Sequence, residues 1–222
     1  MKTILRKAVA IIPVFLLSCM FVQARYAWEY KTMGISGVME IGLNLLPLYW
    51  FIIFDLLRRH QEAWLQVLLQ ASFYVYIFAV LNLTIYFVLF REISGSDWIN
   101  NRLLRFNYGI NLAPLAIFKH YNIFDRQVIG NLIMLVPLGV YLPLLYERFS
   151  SYKRVLWVGM LTSISIEIIQ WLTGFRSADI DDVILNTIGV GIGFMIYSLI
   201  MSYIKKIWRK HSQKEKDISD IG

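Results

Sequence analysis

A single cysteine, Cys19, is all that the 222 residues contain, which excludes an intrachain disulfide and any cysteine-cluster metal site. Histidine is almost as scarce: His60, His120 and His211 are scattered, and none falls in the polar stretches that matter below. Charged residues make up only 17% of the chain against 58% hydrophobic, and the mean hydropathy is +0.56. The apolar residues fall into blocks of about 20, the length that crosses a bilayer as an α-helix. Little is left over for a soluble catalytic domain, so any site has to be built from helix ends and loops.

The blocks predict an all-α, polytopic membrane protein with six transmembrane helices, over residues 8–23, 35–57, 64–90, 128–146, 155–174 and 183–204. Its primary partner is the lipid bilayer. The net charge of +7 does not indicate nucleic acid, because no recognition motif accompanies it and the basic residues cluster beside the apolar blocks, most densely in Lys205-Lys206-Ile207-Trp208-Arg209-Lys210. Six crossings put both termini on one side, and that side holds fourteen Lys and Arg against eight on the other. Basic residues favour the cytoplasm, so both termini are predicted inside and residues 175–182 outside. The first block, preceded by Lys2, Arg6 and Lys7, reads as an uncleaved signal anchor. A cleaved signal peptide ending near Val22-Gln23-Ala24 is the alternative, and it leaves the remaining topology unchanged.

This gives an N-terminal three-helix region over 1–90, an outward interfacial segment over 91–127, and a basic cytoplasmic tail over 205–222. In the interfacial segment Ile99, Leu103, Phe106 and Ile110 recur at three- and four-residue intervals opposite Arg102 and Arg105. That pattern predicts a basic helix lying in the interface, with a solvated loop as the alternative. Gly42-Leu-Asn44-Leu-Leu-Pro47-Leu48 matches Gly109-Ile-Asn111-Leu-Ala-Pro114-Leu115 at five of seven positions. Internal duplication and coincidence both account for it, since the flanks do not match.

Function is to be sought near the C-terminus, because a carboxylate inside hydrocarbon is expensive and Glu167 lies deep in the fifth block. Ser163, Glu167, Gln170 and Gly174 are spaced four, three and four, which places them on one helical face. Asp182, Asn186, Gly189 and Gly193 repeat the spacing on the sixth block, so the two faces are expected to meet across the short loop between them. Gly189-x3-Gly193 is a helix-packing motif. On the fourth block Asn131 lies near the outer end, and Pro137 should kink the helix. Asp179, Asp181 and Asp182 precede the sixth helix, where Asp181 or Asp182 is the expected cap. Four carboxylates beside the one arginine, Arg176, leave negative charge to be relieved by a cation, by protonation of Glu167 or by a cationic ligand. The spacing matches no metal-binding loop, and no metal or cofactor is assigned. Three roles are open to Glu167: a protonated group bonded to Gln170 or Asn186, a ligand anchor, or a proton relay.

In the order Asn131-x5-Pro137-Leu-Gly139, Glu167-x2-Gln170, Arg176-x2-Asp179-x2-Asp182-x3-Asn186-x2-Gly189, residues 105–204 resemble the VanZ-like family of bacterial membrane proteins. Asn111-Leu-Ala-Pro114 resembles that family's upstream Asn-Leu-x-Pro element, with Leu115 in place of Phe, and Val190 replaces the small residue after Gly189. The resemblance implies a bacterial inner-membrane protein of the cell envelope, connected with resistance to teicoplanin. The expected site is an outward polar pocket from spans four to six that receives a lipid-linked or cell-wall headgroup. Arg176 would contact an anionic group; Asn131, Gln170 and Asn186 would supply neutral hydrogen bonds; Glu167, Asp179 and Asp182 would orient the ligand or bind a cation. A membrane enzyme acting on a lipid-linked substrate and a proton-coupled transporter are the alternatives. No catalytic residue is assigned, and the oligomeric state is not legible.

Overall fold

The computed structural model describes residues 2–29, 35–58, 63–84, 109–117, 122–173 and 177–219. In chain order these form α1 (Lys2–Glu29), α2 (Ile35–Arg58), α3 (Trp64–Leu83), β1 (Ile110–Asn111), α4 (Arg126–Met134), α5 (Val136–Leu145), a 3-10 turn (Glu147–Phe149), α6 (Tyr152–Thr173), β2 (Ala178–Asp179) and α7 (Ile180–Ser219). Among the described residues five stretches are long and apolar enough to cross a membrane: Leu5–Ala24, Trp64–Leu83, Arg126–Leu145, Tyr152–Leu172 and Ile180–Gln213. With 24 residues, α2 has the length of a sixth. The third helix stops at Leu83, seven residues short of its expected end, and the fourth span is two helices meeting at Leu135.

The chain divides into two compact units, Met1–Pro114 with Ile164–Asp181, and Leu115–Ser163 with Asp182–Gly222. In the first, α1 and α3 run parallel: Arg6 lies 5.5 Å from the Trp64 ring centroid, and Phe21 meets Phe78 edge-on at 5.9 Å. Between them in sequence, α2 runs antiparallel to α3, with Phe51 set edge-on to both Phe73 and Tyr74. Asn44, Leu48, Ile52 and Asp55 are buried at helical spacing on one face of α2. Asp55 is a buried carboxylate for which sequence reasoning assigned no role. Its Oδ2 accepts from Gln70 Nε2–H and from Tyr74 O–H, each at 2.9 Å, while Gln70 Nε2–H also donates to Tyr74 Oη at 2.7 Å. This closed ring supplies polar partners that hydrocarbon would not, and it fixes α2 against α3.

In the second unit, Pro137 explains the broken span. Lacking an amide hydrogen, it cannot bond the Ile133 carbonyl, and it falls in the first turn of the new helix, where its fixed φ is suited. The glycines of α7 use the exposed backbone at this break. A Cβ at Gly189 would collide with the Leu132 carbonyl oxygen, and one at Gly193 with that of Val136. One turn earlier, Val128 and Leu185 pack together with Ile117. Three successive turns therefore keep one register, with α7 parallel to α4 and α5. On the other side of α7, α6 runs antiparallel: Ser163 meets Asn186, Gly159 meets Val190, and Tyr152 meets Phe194 at 5.5 Å between rings.

Two of the sequence patterns fall partly within the described residues. The matching heptads do not share a conformation: Gly42–Leu48 is helix within α2, whereas Gly109–Leu115 is strand and turn, with Leu115 at φ 64°. Ile110, the last residue of the proposed interfacial helix, is in β1, while Ile99, Arg102, Leu103, Arg105 and Phe106 lie outside the described residues.

Candidate functional site

Polar side chains gather separately in each unit. In the first, the C-terminal half of α6 carries Glu167 and Gln170, 5% and 4% exposed in a helix of membrane-crossing length. Arg176 lies outside the described residues. The chain re-enters as β2, which pairs in parallel with β1 so that Asn111 is opposite Asp179.

Asp179 is the hub of this cluster. Its backbone N–H donates to Glu167 Oε2 at 2.9 Å, so the buried carboxylate holds the main chain just before α7. Its own Oδ1 accepts the Asp181 N–H at 2.9 Å, the bond an N-cap makes to the second helical residue. Its Oδ2 accepts from Asn111 Nδ2–H at 3.1 Å. The cap is therefore Asp179, and neither Asp181 nor Asp182 as expected. Asp181, 2% exposed, follows in the first turn, where the helix dipole favours a negative group. Asn111 is fixed at both ends, because its Oδ1 accepts the Ala113 N–H at 3.2 Å. Among the described residues no group of three or more His, Cys, Asp or Glu is placed to hold a metal ion. What the cluster offers instead is a preorganised set of acceptors whose charge has been partly offset by backbone and amide donors.

In the second unit Asn186 is fully buried and donates from Nδ2 to Ser163 Oγ at 2.9 Å. The expected shared face of α7 is divided: Asn186 turns to α6, while Gly189 and Gly193 turn to α4 and α5. Asn186 Oδ1 and Asn131 Nδ2 are buried atoms with no hydrogen-bond partner among the described residues. Asp182 is 3% exposed on the first turn of α7.

Sequence reasoning placed Glu167, Gln170 and Asp179 in the site and omitted Asn111. The signal was available in the Asn111-Leu-Ala-Pro114 element, where the amide that ends β1 also starts the turn.

Comparison with known proteins bears on the whole span. Protein VanZ of Enterococcus faecium is 31% identical over 102 residues, which cover 45% of this chain and 60% of that relative. The matched stretch thus falls short of two thirds of the relative's length. No solved structure matches the chain. The VanZ/LLP1 family profile runs over residues 8–201, from within α1 to far along α7, and the chain belongs to that family.

Proposed function

We propose that this protein works in a bacterial cell membrane as a binding protein of the envelope, with its acidic cluster facing outward, and that it contributes to resistance to teicoplanin. The ligand in this reading is the headgroup of a lipid-linked or cell-wall molecule. The observation that carries it is Glu167: a carboxylate 5% exposed inside a membrane-length helix, whose Oε2 holds the amide of the helix-capping Asp179. Burying such a group costs several kcal/mol on any scale and needs a purpose beyond capping. Arg176, three residues before Asp179, supplies the bidentate cation for an anionic headgroup. Gln170, buried three residues further along α6, adds a neutral amide on the Glu167 side. Binding is favoured over catalysis because, among the described residues, no histidine is grouped with the carboxylates.

Glu167→Gln tests the charge without removing the acceptor, since the amide oxygen can still take the Asp179 N–H. In a deletion strain complemented with the variant, teicoplanin resistance should be lost while protein level stays at wild type. Arg176→Ala should do the same. Retained resistance in both variants would refute the reading, and loss of resistance together with protein would assign both residues to folding.

A further inference from the structure

An open cleft of about 760 Å3 lies between α1 and α2 in the first unit, lined by Phe15, Ser18, the free thiol of Cys19, Val22 and Gln23 on one side and Leu45 and Tyr49 on the other. Its volume is within the range of about 300–1,000 Å3 that holds small ligands. We propose that the cleft seats the hydrocarbon chain of the lipid-linked ligand whose headgroup meets the acidic cluster, an inference that rests on the function proposed above.

Depth is the first argument. Phe15 is at the middle of the Leu5–Ala24 span and Gln23 at its end, so the α1 wall runs for eight residues, about 12 Å at 1.5 Å per residue. Half of a hydrocarbon core of about 30 Å is about 15 Å. The cleft thus follows one leaflet from its interface to the bilayer centre, on the side where the predicted topology puts the end of α6.

Polarity is the second argument. The two hydroxyls in the wall are committed to the protein: Ser18 O–H donates to the Val14 carbonyl at 2.8 Å, and Tyr49 O–H donates to Ser18 Oγ at 3.0 Å. Neither hydroxyl hydrogen is left for a ligand, so the wall below Gln23 recognises hydrocarbon. Gln23, exposed at the interfacial end, is the polar mouth, which sets the direction of the occupant: chain inward, headgroup at the surface. The lining supplies continuity with the lipid-facing surface, since Phe15 is more than half exposed. A water-soluble partner would have no route to this position.

The test uses the full chain in phosphatidylcholine–phosphatidylglycerol nanodiscs, with a polyprenyl phosphate carrying a diazirine in its chain. After irradiation, crosslinks should concentrate on residues 15–23 and 45–49. Leu45→Trp, which fills the cleft, should lower them about tenfold, the change that about 1.4 kcal/mol of lost binding produces. Val22→Trp, from the opposite wall, should act alike, while Leu46→Trp, exposed and outside the lining, should not. Unlabelled polyprenyl phosphate should compete, and dioleoyl phosphatidic acid at the same mole fraction should not. Equal competition by both lipids, crosslinks spread evenly over exposed Leu5, Trp157 and Leu199, or yields unchanged in both cleft variants would each overturn the inference. If the cleft is not labelled yet Glu167→Gln still abolishes resistance, the chain site fails and the headgroup reading stands. If labelling is as described and Glu167→Gln is without effect on resistance, the headgroup reading fails alone.

Discussion

At the scale of single residues, the pair Asn111 and Asp179 carries a sharp consequence. One amide hydrogen joins them, 68 positions apart in sequence, and the same carboxylate caps α7. Asn111→Ala removes the donor and should destabilise the protein by about 1 kcal/mol, the net worth of one hydrogen bond. Asn111→Asp sets two carboxylates face to face, so the loss should be larger, about 1–3 kcal/mol, as for an unsatisfied buried polar group. Exchange of the pair, Asn111→Asp with Asp179→Asn, restores one donor opposite one acceptor and keeps a cap for the Asp181 N–H. Its thermal midpoint in detergent should therefore exceed that of Asn111→Asp alone; a double variant less stable than the single would show that the bond is incidental. Glu167 was legible in the sequence because a carboxylate among Ile and Leu is conspicuous by its cost. Asp55 escaped because it lies three residues from Arg58, where a charge passes for the edge of a span. Only the fold shows that Gln70 and Tyr74 close over it.

Among the elements, packing of α7 turns on glycines that differ in what they face. At Gly159 an added Cβ would come 2.6 Å from Val190 Cγ2, a side-chain atom, whereas at Gly193 it would collide with the Val136 carbonyl. Gly159→Ala should cost about 1–3 kcal/mol by overpacking. Val190→Ala trims the obstacle, so the double variant should be more stable than the two single costs added together, a coupling that shared contacts produce. Gly193→Ala has no such remedy, because backbone cannot be trimmed, and Val190→Ala should not rescue it. Additive losses at Gly159 and Val190, read from thermal unfolding, would contradict the contact. The glycine pattern and the effect of Pro137 were readable from spacing alone. The role of Gly159 was not: it leaves room for the Val190 side chain, and nothing in the sequence pairs the two. Likewise the matching heptads could not be told apart by their letters. Gly42–Leu48 runs into the apolar stretch that completes α2, while Gly109–Leu115 is followed within five residues by Lys119 and His120.

For the molecule as a whole, the all-α membrane character was the most legible property, because hydrophobic length alone determines it; about six spans were expected, and among the described residues five stretches are long and apolar enough to cross a membrane. The order of directions adds to this: within the first unit α1 and α3 run together with α2 opposed, and within the second α4, α5 and α7 run together with α6 opposed. Within each unit successive helices alternate in direction, α4 and α5 counting as one broken span. Helix α7 has 40 residues, about 60 Å at 1.5 Å per residue, twice a hydrocarbon core of about 30 Å. Its first turn holds Asp181 and Asp182, and its far half holds Lys205, Lys206, Arg209 and Lys210, an asymmetry that in the proposed topology sets the basic end in the cytoplasm. Two exposed positions test this, Ser177 before α7 and Gln213 near its end. In a Cys19→Ser background, Ser177→Cys should react with a membrane-impermeant maleimide on intact cells, whereas Gln213→Cys should react only after the cells are opened. The reverse pattern would turn the acidic cluster toward the cytoplasm, where neither teicoplanin nor the outer-leaflet chain could reach it. Labelling of both positions on intact cells would mean that α7 does not cross the membrane at all.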